Sequence, residues 1–165
     1  PLGAWAYSQW GKESAGRQSE RGIIAKATTH CGAGCTLGDI VAEIFAVAVP
    51  LTILGHRLFG SWLYDFVAAY LLGIVFQYFT IKSMRKLSAG KAIVAALQVD
   101  TLSLIAWQIG MYGAMAFFTF VVAHREMATS SPVFWFSMQL AMFVGFAVSY
   151  PVNAWLVRRG TKPRM

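Results

Sequence analysis

His30-Cys31-Gly32-Ala33-Gly34-Cys35-Thr36-Leu37-Gly38-Asp39-Ile40-Val41-Ala42-Glu43 opens the first complete apolar run of the chain and holds both of its cysteines. As helix, Cys31, Cys35, Asp39 and Glu43 stand four apart. Each step of four advances about 40°, so the four side chains form one slowly spiralling stripe. Two thiols and two carboxylates, preceded by an imidazole, are metal-ligand types. The apolar residues around them make the run a candidate for crossing a bilayer, and three later stretches repeat the pattern.

Hydrophobic residues make up 57% of the chain and charged residues 13%, about half the charge of an average soluble domain. The excess is gathered into runs at about 30–54, 62–84, 92–123 and 133–157. Each exceeds the ~20 residues that a membrane span needs, and the third is long enough to tilt or project. The expected fold is all-α: a polytopic membrane protein with four transmembrane helices bundled over 30–157. Residues 11–29 read as a polar connector, either loop or surface helix, in which Thr28 or Thr29 can cap the helix that follows. Residues 158–165 read as a basic tail. Pro1-Leu2-Gly3-Ala4-Trp5-Ala6-Tyr7-Ser8-Gln9-Trp10 is apolar and aromatic before turning polar at Gly11-Lys12. It reads as the tail of a further N-terminal helix ending in an interfacial aromatic belt, so the chain is expected to be a piece of a longer one. Two cysteines are too few for a disulfide framework, and no signal-peptide pattern is present.

Basic residues set the expected orientation. Lys12, Arg17, Arg21 and Lys26 precede the first run; Lys82, Arg85, Lys86 and Lys91 lie between the second and third; Arg158, Arg159, Lys162 and Arg164 follow the fourth. Four spans put these twelve on one face and leave Arg57 and Arg125 on the other. The positive-inside rule then places both ends of the domain in the cytoplasm. Because topology accounts for the charge, nucleic acid is not an expected partner; the bilayer is, along with a homo-oligomer or larger membrane complex.

With that orientation, Cys31 and Cys35 are expected at the cytoplasmic mouth, with Asp39 and Glu43 one to two turns deeper. Asp100 enters from the same face, and Ser149 and Asn153 lie at comparable depth. Carboxylates inside a bilayer face a bundle interior, a partner or water, and the sequence offers no lysine or arginine at their depth. In the outer half, Met111 and Met115 share a face with Asp100, Leu104 and Trp107, and Met138 and Met142 share one with Gly145, Ser149 and Asn153. Gly34, Gly38, Ala42 and Ala46 form a stripe suited to close helix contact. Pro151 removes a backbone donor and predicts a kink near Asn153.

Plainer readings stand beside each of these. Cysteine behaves as a small hydrophobe, methionine fills core gaps, and Asp39, Glu43 and Asp100 can share protons or anchor an interface. His56 and His124 read as interfacial residues. Gly32-Ala33-Gly34 lacks the lysine and strand–helix context of a phosphate loop. No nucleophile–histidine–acid set is evident, so an enzyme is not the leading reading.

Thr29-His30-Cys31-Gly32-Ala33-Gly34-Cys35-Thr36-Leu37-Gly38-Asp39-Ile40 and Gly145-Phe146-Ala147-Val148-Ser149-Tyr150-Pro151-Val152-Asn153-Ala154-Trp155-Leu156-Val157-Arg158-Arg159-Gly160-Thr161-Lys162 together resemble the prokaryotic multi-pass membrane family known as domain-of-unknown-function family 4396. The resemblance covers roughly residues 27–165. The opening Pro1-Leu2-Gly3-Ala4-Trp5-Ala6-Tyr7 is similar to the end of an extra membrane region in longer members. It implies a four-helix domain in a prokaryotic cytoplasmic membrane and brings no activity.

The residues themselves lead to an expected soft-metal protein, with Cu(I) as its ion and transport as its use. His30, Cys31 and Cys35 are the expected intake, Asp39, Glu43 and Asp100 the inner lining, and Met111, Met115, Met138 and Met142 the outer lining. Cys31 and Asp39 lie about 12 Å apart along a helix, so the stripe needs two stations or a second helix. A structural subunit and a thiol redox protein are the alternatives.

Overall fold

The structure is a computed structural model that describes residues 20–85 and 88–162. Four long helices carry it: α1 (Glu20–Ala48), α2 (Arg57–Arg85), α3 (Ala89–Ala116) and α4 (Pro132–Arg158), with a π-helical segment, Phe117–Val122, continuing α3. No strand occurs among the described residues beyond an isolated bridge, Ile53–His56. All four are long and apolar enough to cross a membrane. α1 packs chiefly on α2 and α3 chiefly on α4, while α2–α3 and α1–α4 contacts close the bundle. Ile44, Phe79, Ile109 and Phe143 point outward, as side chains facing lipid do.

α1 begins about ten residues before the expected start at His30. Ile24 and Ala27 continue its apolar face and pack on Ala154 and Val157 of α4, so burial extends the helix through the expected connector. Residues 20–29 are therefore helical, whereas the expected N-terminal helix tail at 1–10 lies outside the described residues.

Glycines set the two main crossings. A Cβ on Gly38 would sit 2.5 Å from Ala69 Cα of α2. A Cβ on Gly110 would sit 2.9 Å from Gly145 Cα of α4. The small-residue stripe of α1 therefore faces α2, where close backbone approach lets dispersion hold the helices. Pro151 lies within α4, which continues through it to Arg158.

Past Arg158 the chain reverses. Gly160 adopts φ 70°, Gly160 N–H donates to Val157 O and Thr161 N–H to Leu156 O. These are the paired bonds of a Schellman turn, with glycine at the left-handed position. The turn directs Lys162 back into the bundle.

Candidate functional site

The interior polar groups begin at Lys162, which is 1% exposed. Its Nζ donates to Asn153 Oδ1 of α4 and, at 3.5 Å, to Ser103 Oγ of α3. Ser103 Oγ donates to Asn153 Oδ1 at 2.9 Å or to Cys31 Sγ at 3.3 Å. Cys31 Sγ donates to Asp100 Oδ1 at 3.7 Å. Room for Asp100 comes from α2, where any Cβ on Gly73 would collide with Asp100 Oδ2. Burial pushes the Lys162 ammonium below its usual 10.5, opposed by the negative charge of Cys31 and Asp100.

Cys35 lies beside Cys31 and acts electrostatically with Asp39 and Asp100. One turn further, Asp39 is completely buried and neither of its oxygens has a hydrogen-bond partner among the described residues. The Gln108 amide is near it without reaching bonding geometry. Asp65 of α2, 1% exposed, is orphaned in the same way, and the charged neighbours that act on it are Asp39 and Glu43. Glu43 Oε2 accepts from Thr129 Oγ1 at 3.2 Å in the loop before α4. It also lines a cavity of about 460 Å³ with Arg57, Ser61, Thr119, Glu126 and Thr129. Polar side chains thus run from the turn after α4 to the loops at the opposite end of the bundle.

Several expectations change here. Cys31 lies about three turns into α1 rather than at its start, because the helix begins at Glu20. Glu43 belongs to the far end rather than the inner half, near the α1 terminus at Ala48. His30 does not join Cys31. One residue step turns it about 100°, and its Nε2 meets Thr80 Oγ1 of α2 at 3.2 Å. The expected lack of a base at the depth of the acids also fails, because the turn at Gly160 inserts Lys162.

The methionine faces do meet. Met111, Met115 and Met138 are buried in one core cluster with Cys31 and Cys35, and the half-buried Met142 accepts from Thr36 Oγ1 at 3.7 Å. His56 pairs with Glu126 at 2.8 Å near the surface, and His124 is exposed with φ 51°. Among the described residues, no group of three or more His, Cys, Asp or Glu side chains is arranged to hold a metal ion. Sequence reasoning passed over Asp65, Gln77, Ser103 and Gln108. Asp65, Gln77 and Gln108 carried the signal that exposed Asp39, a polar side chain deep in an apolar run.

Comparison with curated proteins finds no match, and neither does comparison with solved structures. A family model described as Domain of unknown function (DUF4396) matches residues 22–162, nearly the whole four-helix bundle. The chain belongs to that family.

Proposed function

We propose that this protein conducts a cation through the interior of its four-helix bundle, and that the cation is a proton. The observation that carries this reading is the pair of fully buried, unpartnered carboxyls, Asp39 and Asp65. An ionised carboxyl without a partner is strongly disfavoured in an apolar interior, so each needs a proton or a cation to stay there. A metal ion needs several ligands converging at fixed distances. A proton needs only a succession of groups that can each hold and release it, which the run from Lys162 to Glu43 supplies.

On the positive-inside rule, the end bearing Lys162 faces the cytoplasm of a prokaryotic cell and the cavity beside Glu43 opens on the other side. A soft metal ion is the second reading. Its support is the adjacency of the Cys31 and Cys35 thiols within a cluster that also holds Met111, Met115 and Met138, since thiolate and thioether select Cu(I).

The test is flux in liposomes holding the intact protein and a pH-sensitive dye, with a potassium–valinomycin potential as driving force. Asp39→Asn and Asp65→Asn should each slow acidification about a hundredfold, the scale of losing a proton-transfer group. Wild-type vesicles no leakier to protons than empty ones overturn the reading. Copper retained by wild type and lost from Cys31→Ser/Cys35→Ser, without proton flux, moves the assignment to the soft metal.

A further inference from the structure

Three hydrogen bonds at the tail of α4 point in one direction. Lys162 Nζ donates to Ser103 Oγ at 3.5 Å, Ser103 Oγ, when turned from Asn153 Oδ1 at 2.9 Å, to Cys31 Sγ at 3.3 Å, and Cys31 Sγ to Asp100 Oδ1 at 3.7 Å. Ser103 and Cys31 each accept one of these bonds and donate the next, so the three can act as a relay. The first donor sits on a short turn, with Gly160 at φ 70° and backbone bonds onto Leu156 and Val157, and its Nζ also donates to Asn153 Oδ1. Such a turn can open at the cost of a few hydrogen bonds, as local unfolding of a short segment does.

We propose that Lys162 is the proton donor at the entrance of the file, delivering protons to Asp100 through Ser103 and Cys31. The inference rests on the proton-conducting reading above and names the residue that loads the path. In one passage an N–H bond of the ammonium breaks as Ser103 Oγ takes the proton. Ser103 gives its own proton to Cys31 Sγ, and the thiol proton passes to Oδ1 of ionised Asp100. An ammonium and a carboxylate become an amine and a carboxylic acid, and no electrons change hands. The amine regains its proton from water when the turn opens.

The titratable groups that act on Lys162 or feel it are Asp100, Cys31, Cys35 and His30. Burial lowers the proton affinity of the amine, which favours release. The competing role is a fixed positive charge that balances Asp100. Arginine separates the two, because a guanidinium keeps its charge and does not give up its proton.

The experiment is the same liposome assay on the intact protein, with melting in detergent recorded for each variant. Lys162→Met and Lys162→Arg should both slow flux about tenfold or more. Cys31→Ala should match them, whereas Cys31→Ser leaves a hydroxyl in line and should stay within about threefold of wild type. Full flux in Lys162→Arg overturns the donor role, and so does full flux in Cys31→Ala. If a Lys162 variant does not fold, the Cys31 pair decides: loss with alanine and retention with serine support the wire, and equal behaviour overturns it. Flux that Asp39→Asn abolishes and the Lys162 variants leave unchanged overturns this inference alone. Wild type without flux overturns it together with the function it rests on.

Discussion

The bundle holds two polar regions that are equally buried and oppositely satisfied. Around Ser103, the ammonium of Lys162, the amide of Asn153, the thiol of Cys31 and one oxygen of Asp100 are joined by hydrogen bonds. Around Asp39, four carboxylate oxygens and the Gln108 amide have no bonded partner among the described residues. The first region contains a cation and an acid that act on each other electrostatically. The second contains acids whose charged neighbours are further acids. Burial therefore does not by itself distinguish a structural network from a working one. A satisfied network with its own countercharge rigidifies a core and can also pass a proton along its bonds, while a buried ionised acid without a countercharge is strongly disfavoured.

Breaking the first region should cost most. Asp100→Asn removes the acid whose charge offsets the buried ammonium of Lys162 and should destabilise the protein by about 3 kcal/mol, the scale of leaving a buried charge uncompensated. Adding Lys162→Met should recover most of that loss, so the two changes fall short of additive. Thermal melting in detergent measures both, and additive losses would mean that the two groups do not interact.

The second region should respond with the opposite sign. Asp65→Leu removes two orphaned oxygens and fills similar space, so it should raise stability by about 1 kcal/mol while flux is lost. A marked loss of stability would show that Asp65 has a partner and would erase the contrast between the regions.

The smallest expected effect is in pH. Lys162 binds its proton less tightly folded than unfolded. Between its lowered folded value and the usual 10.5, the unfolded chain therefore holds more protons. Stability from this group rises with pH across that window and levels off above it. The melting difference between wild type and Lys162→Met should shift in favour of wild type as pH rises towards 10.5. A pH-independent difference would mean that burial does not perturb the amine.

How much of this the sequence discloses depends on the range of the physics involved. Four apolar runs predict four helices because the bilayer fixes length and polarity locally. Gly38 reads as a contact because small residues four apart have one main use in a membrane helix, and the structure seats it on Ala69. The start of the first helix was placed too late because it depends on Ile24 and Ala27 packing against α4, a contact about 130 residues away along the chain. His30 was grouped with Cys31 because adjacency in sequence hides a rotation of about 100°. Lys162 was counted as a surface charge, since its inward direction depends on one glycine torsion. Asp65 was equally legible with Asp39, but it sits outside the cysteine stripe that drew attention.

The π-helical segment Phe117–Val122 bears on how the family is compared. Its bonds reach five residues back, as from Ala123 N–H to Phe118 O, so it takes one more residue per set of bonds than an α-helix does. Such a segment is an inserted residue absorbed without breaking the helix. A relative that is α-helical throughout α3 should align with a single-residue gap inside 117–122. Deleting one residue there should turn Thr129 and the rest of the α3–α4 loop about 100° from Glu43, while α1 and α2 keep their register.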